Sequence, residues 1–124
     1  MQKFSRRRNG DGFEDSSLIK LMDRDTIKKR INIIRRELRN HKINCLIVTN
    51  PANVTYMTGF MGADSCAVLT GGQIYLVTDS RYTEQARKEC VGCRIIQRPD
   101  SLPLAQATAN LIKQLKSVQK ATVE

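Results

Sequence analysis

Apolar residues recur along this chain with two different periods. Between Asp23 and Lys42, Ile27, Ile31, Ile34 and Leu38 follow one another at i, i+4, i+7 and i+11, the spacing that lines one face of an α-helix. Asp23 or Asp25 is suited to accept from the free amides of a first turn, so the spacing predicts a helix that begins there and ends near His41. INCLIV, residues 43–48, is an uninterrupted apolar run of strand length, and runs of this kind belong in the middle of a sheet covered on both faces.

Asn50 and Pro51 then stand where a strand ends. Asn is among the best helix caps and Pro is favoured at the first helical position, so NPANVTYMTG predicts a short helix closed by Gly59. After the loop FMGAD, two strand candidates, SCAVLT and QIYLVTD, flank Gly71 and Gly72. A Gly pair supplies the positive φ of a tight hairpin turn, and antiparallel pairing is expected. RYTEQARKEC reads as a helix and CRIIQ as a strand. LPLAQATANLIKQLKS reads as an amphipathic helix with Leu104, Ala107, Leu111 and Leu115 on one face, and KATVE as a last strand. The order predicts an α/β domain with a mixed β-sheet, one antiparallel hairpin and helices packed on its faces.

With 124 residues and 40% hydrophobic content, the chain can bury one core and not two. No apolar stretch approaches the roughly 20 residues that span a bilayer, and MQKFSRRRNGDGFEDSS lacks the apolar core of a signal peptide; a cytoplasmic protein is expected, without a membrane partner. Residues 1–22 show no periodicity and read as a flexible leader ahead of a domain over residues 23–124.

The net charge of +9 is unevenly spread: residues 23–42 carry 8 basic and 3 acidic groups, whereas residues 43–124 carry 8 and 6. The basic groups fall on the polar face of the first helix, and a solvated face is the plain reading. Nucleic acid is not an expected partner, since three Phe and three Tyr leave little to stack on bases. A basic binding module, gripping nucleic acid or an acidic protein through this helix and the SRRR leader, is the alternative function.

Catalytic chemistry is hard to assemble from these residues. The single histidine, His41, suits the C-terminal end of a basic helix better than a catalytic role. Cys90 and Cys93 form a CxxC, but a structural zinc needs a second ligand pair, and redox CxxC motifs open a helix where this one closes it. Cys45 and Cys66 sit in apolar runs as small hydrophobes. No Gly-rich phosphate loop is present. Two polar clusters, NPANVTYMTGF and TDSRYTEQA, each follow an apolar strand, where function in α/β folds concentrates. The Asp79-Ser80-Arg81-Tyr82 group could cap a helix and form an internal Asp–Arg pair, or could present Arg81 to an anionic ligand.

The succession of strand, NPANVTYMTGF, loop, and a hairpin ending in LVTDSRYTEQA resembles the N-terminal domain of the Xaa-Pro peptidase family: aminopeptidase P, prolidase and their relative creatinase. The resemblance covers residues 24 to 124. It implies a parent hydrolase, an Xaa-Pro aminopeptidase or dipeptidase, that cleaves the bond before proline in proline-containing peptides. The family's catalytic domain binds two divalent metals, commonly manganese, through two Asp, one His and two Glu. That domain would follow the point where this sequence stops, so no catalytic or metal-binding residue is expected here and the fragment alone should be inactive. Its own C-terminal catalytic domain and neighbouring subunits of a homo-oligomer are the implied partners. Phe60, Met61 and Asp64, with Arg81 and Tyr82, are the implied substrate-proximal positions across a subunit interface. Asn50, Pro51, Asn53, Tyr56, Gly59 and Asp79 carry the motif structurally. The loop MGAD lacks the basic residue that creatinase offers its substrate, which favours a peptidase-like member.

Overall fold

The computed structural model describes the backbone from Phe13 to Glu124 and side chains from Arg24 onward. The elements are α1 (Phe13–Asn40), β1 (Cys45–Val48), α2 (Pro51–Thr58), β2 (Cys66–Thr70), β3 (Ile74–Thr78), α3 (Thr83–Glu89), β4 (Arg94–Gln97), α4 (Leu104–Gln114) and β5 (Ala121–Val123). The expected α/β architecture with a mixed sheet is present. One boundary moves: α1 begins at Phe13 rather than Asp23. No Gly or Pro interrupts residues 13–40, so nothing in the backbone stops the helix at the Asp residues. The rest of the expected leader, residues 1–12, lies outside the described residues.

The strand order is β4-β3-β2-β1-β5. β2 runs antiparallel to both β1 and β3, while β4 is parallel to β3 and β5 parallel to β1. β2, not β1, is the central strand, and all five of its residues are buried. β1 has only the three-residue β5 outside it, which leaves Leu46 and Ile47 partly exposed.

Alternation along the strands sorts the core into two halves. Val48, Ala67, Leu69 and Leu76 face Ile27 and Ile31 of α1, Val54 and Met57 of α2, and Ala86 of α3. Cys45, Cys66, Val68 and Val77 face Ala107 and Leu111 of α4. The two halves follow from the period of two along a strand, which sends neighbouring side chains to opposite faces. Cys45 and Cys66 are buried, and burial pushes both thiols above their ordinary range.

The β2–β3 hairpin forms with the expected pairing, Leu69 opposite Ile74, but by different turn chemistry. Neither Gly71 nor Gly72 has positive φ. Thr70 closes the turn instead: its amide donates to the Gln73 carbonyl at 2.8 Å and its hydroxyl accepts from the Gln73 amide at 3.1 Å. The side chain supplies the bond that a left-handed glycine turn would otherwise provide.

Candidate functional site at one end of the sheet

Because β1, β3, β4 and β5 point the same way and β2 the other, four strand C-termini and the entry to β2 share one end of the sheet. Both polar clusters lie there. The topology therefore brings together segments that are far apart in sequence.

α2 is built as the residues dictate. Asn50 has extended backbone, and its Oδ1 accepts from the Ala52 amide at 2.9 Å, with Pro51 in the first turn. Gly59 closes the helix in the left-handed region at φ 85°, its amide donating to the Thr55 carbonyl at 2.8 Å. A β-carbon at Gly59 would sit 2.8 Å from the Glu89 carbonyl oxygen, so packing and backbone both require glycine. Asn53 donates through Nδ2 to Glu124 Oε2 at 2.6 Å. Glu124 Oε1 accepts from the amides of Thr49 at 3.0 Å and Asn50 at 3.3 Å. These bonds, that from Asn53 foremost, hold the Glu124 carboxyl below its ordinary range.

Tyr56 does not turn back on the sheet as a packing residue would. It is half exposed, and the Arg30 guanidinium lies 4.1 Å above its ring while Arg30 Nη1 donates to the Tyr56 carbonyl at 2.9 Å. The long basic helix beside it offers a cation for the ring face.

Phe60 lies in the expected loop, but its side chain is fully buried. Its ring meets Tyr82 edge-on at 6.1 Å and 83°. A β-carbon at Gly62 would lie 2.2 Å from that ring, so the loop folds over Phe60 only because residue 62 has no side chain. Met61, in contrast, is 70% exposed. Its amide donates to Glu89 Oε1 at 2.8 Å, and Gln85 Nε2 holds the same carboxylate at 3.1 Å. α3 thus fixes the loop that α2 begins.

Asp64 adopts φ 51°, a left-handed conformation that Asp tolerates better than most residues. Its Oδ2 accepts from Arg81 Nη2 at 2.9 Å. Arg81 also donates to Asp79, from Nε to Oδ1 at 3.1 Å and from Nη2 to Oδ2 at 2.7 Å. Asp79 is buried and accepts from Arg98 Nη2 at 3.3 Å and from the Arg81 amide at 2.9 Å. The bidentate Arg81 contact is the main reason that the Asp79 carboxyl sits below its ordinary range, and the same contact raises Arg81. The expected Asp–Arg pair is present, but the expected helix cap is not. Asp79 closes a turn, with the Tyr82 amide donating to its carbonyl at 3.0 Å, and α3 starts only at Thr83 without a side-chain cap.

Asp79, Ser80, Arg81, Arg98 and Asp100 line a shallow depression of about 290 Å³. Ser80, Arg81 and Asp100 are its exposed members, and the Arg81 cation also lies 5.1 Å from the Tyr82 ring. Three contributors had no local sequence signal. Glu89 reaches the loop from α3, Arg98 arrives from the end of β4, and Glu124 closes on α2 from beyond β5. Among the described residues no group of three or more His, Cys, Asp or Glu side chains could hold a metal ion, and no described helix is long and apolar enough to cross a membrane.

This arrangement of sheet and motifs has counterparts. Residues 30–123 match the model of the creatinase/prolidase N-terminal domain. The uncharacterized peptidase YqhT of Bacillus subtilis (strain 168) is 41% identical over 71 residues, 57% of this chain and 20% of that protein. An Xaa-Pro dipeptidase from Bacillus anthracis superposes with a TM-score of 0.71 at 28% identity, over 79% of this chain and 27% of its own. An Xaa-Pro aminopeptidase structure from Streptococcus pyogenes, at 22% identity, shares the fold with a TM-score of 0.60, over 80% of this chain and 93% of that one. The chain spans about a fifth of the curated relative. With three quarters of its length matched, the chain belongs to the creatinase/prolidase N-terminal domain family.

Proposed function

We propose that this chain is the non-catalytic N-terminal domain of a metal-dependent Xaa-Pro peptidase, aminopeptidase or dipeptidase, in which it contributes to oligomerisation and limits access of proline-containing peptides. The observation that carries this reading is the shared sheet end, where both family motifs meet and an exposed Met61 and Arg81 stand on a rigid base. Met61 is held by Glu89 and Arg81 by Asp64 and Asp79, so a surface built from them would keep its shape when a neighbouring active site closes on it.

The described residues lack a donor set for the metals, so no step of the hydrolysis is assigned to them. The two divalent ions, manganese in this reading, belong to the catalytic domain and would activate water there. The domain's own part is to offer a wall that admits short substrates, placed in the cytoplasm with the rest of the enzyme.

The test uses the chain joined to the catalytic domain that this reading requires. Met61→Ala and Arg81→Ala should change kcat/KM for a proline peptide while leaving the thermal midpoint of Met61→Ala at the parental value. Unchanged kinetics in both variants would leave a purely structural domain, and turnover by the 124-residue chain alone would overturn its non-catalytic role.

A further inference from the structure

The basic face of α1 is not evenly solvated, for part of it forms one wall of a groove. Arg24, Lys28, Asn32 and Arg35 line this groove along α1, and Gly72 and Gly92 line it opposite, with Ile31 and Ile74 among the apolar residues of its floor. Its volume is about 490 Å³, and among the described residues its lining includes no carboxylate. The four α1 residues recur at i, i+4, i+8 and i+11, one stripe beside the buried stripe of Ile27, Ile31, Ile34 and Leu38.

Two observations set it apart from an ordinary charged surface. First, neither Arg24 nor Lys28 makes an ion pair with any described side chain. Arg35 is anchored, its Nε donating to the Thr70 carbonyl at 2.9 Å, and burial together with repulsion from Arg39 depresses its pKa. A cation held in place under those terms gains from an anion beside it. Second, Gly72 on the opposite wall, like its neighbour Gly71, has no local reason to be glycine. Gly71 and Gly72 have no positive φ, and a β-carbon on either would meet nothing within 4 Å. Gly92 is glycine for its left-handed backbone at φ 66°, and a β-carbon there would also stand in open space. Small residues here keep the wall low, which lets a ligand's backbone approach the turn and the cations together.

We infer that the groove between α1 and the β2–β3 turn is a binding site for the oligophosphate chain of a nucleic-acid strand or a free polyphosphate. Successive cations one helical turn apart, with Asn32 between them as a neutral donor, suit a ligand with repeated negative charge. Ile31 and Ile74 of the floor are both buried, and the described lining includes no aromatic residue, so phosphates rather than stacked bases would carry the affinity. The site lies apart from the strand ends that hold the peptidase motifs and does not rest on the peptidase reading.

Binding of the 124-residue chain to a labelled 20-mer of thymidylate and to tripolyphosphate would be measured across a salt series. The Arg24→Gln/Lys28→Gln variant should lower affinity by at least about tenfold at low salt and flatten the log-log salt slope for the 20-mer by about 1.4, roughly 0.7 for each cation removed. Gly72→Glu should weaken binding comparably, with circular dichroism confirming an intact fold. Lys113→Gln/Lys116→Gln removes the same charge at and just beyond α4, on the other face of the sheet, and should have little effect. Groove-dependent binding of the 20-mer alone assigns the site to nucleic acid, and of tripolyphosphate alone or of both to a phosphate chain generally. Equal loss in the α4 control, or no binding of either probe at low salt, would overturn the proposal.

Discussion

Asn53 Nδ2 lies 2.6 Å from Glu124 Oε2, joining the helix that follows β1 to the residue that follows β5. β5 is only three residues long and pairs on one side, too little ladder to hold an edge strand unaided. The carboxylate seated on Asn53, Thr49 and Asn50 supplies the missing anchor. Asn53→Ala or Glu124→Gln should therefore speed amide exchange at Thr122 and Val123 while β2 and β3 keep their protection, as read by hydrogen–deuterium exchange. Equal protection in variant and parent would show that the strand needs no such anchor.

Stability should depend on pH through two carboxylates. Asp79 and Glu124 both titrate below their ordinary range in the folded chain. A depressed folded value favours the native state fully above the unfolded value of about 4 and loses that contribution as pH falls through the folded one. Thermal melts should thus show the midpoint falling below pH about 4. Asp79→Asn should start from a lower midpoint at neutral pH, because Arg98, whose side chain is only 15% exposed, loses its carboxylate partner, and should fall less steeply in acid. Asp64→Asn, whose pair with Arg81 is exposed on both sides, should leave the neutral midpoint close to the parental value.

The glycines should separate into required and permissive positions. Gly59→Ala combines φ 85° with a 2.8 Å approach to the Glu89 carbonyl and should cost more than about 1 kcal/mol in urea denaturation. Gly71→Ala, with open space and no positive φ, should stay within about 0.5 kcal/mol of the parent.

Neighbouring loop residues should differ as sharply. Phe60→Ala empties a fully buried site and should cost about 3–5 kcal/mol. Met61→Ala, at a residue 70% exposed, should change stability by less than about 0.5 kcal/mol. Denaturation of the two variants side by side checks this, and a small loss for Phe60→Ala would mean that Tyr82 and Gly62 close over the gap.

The elements legible from the residues were those whose signals are local. Asn50, Pro51 and Gly59 mark the start and end of α2 through capping and backbone preference, and the apolar runs on either side of Gly71 mark the hairpin. Where a second element supplies the partner, the local reading went astray. Phe60 does lie in the loop, but its burial was not legible because the Tyr82 ring that receives it comes from a distant segment. Tyr56 lies under Arg30 of α1, which no residue near it in sequence announces, and the Gly71-Gly72 turn, though local, takes a closing bond from the Thr70 side chain. The cap expected before α3 became a clasp on two arginines, one of them brought by β4.

Periodicity and turn chemistry by themselves determined that this chain is an α/β domain with one hairpin, and its two strand-end motifs pointed to the family. Those signals are local free energies, written into residues within a few positions of one another. Only the tertiary structure decided that strand ends from β1, β3, β4 and β5 share one end of the sheet, that Glu124 closes on Asn53, and that α1 and the hairpin turn enclose a basic groove. Each of those depends on the parallel or antiparallel sense of strands distant in sequence, which is set by packing both faces of β2 at once and by no single segment.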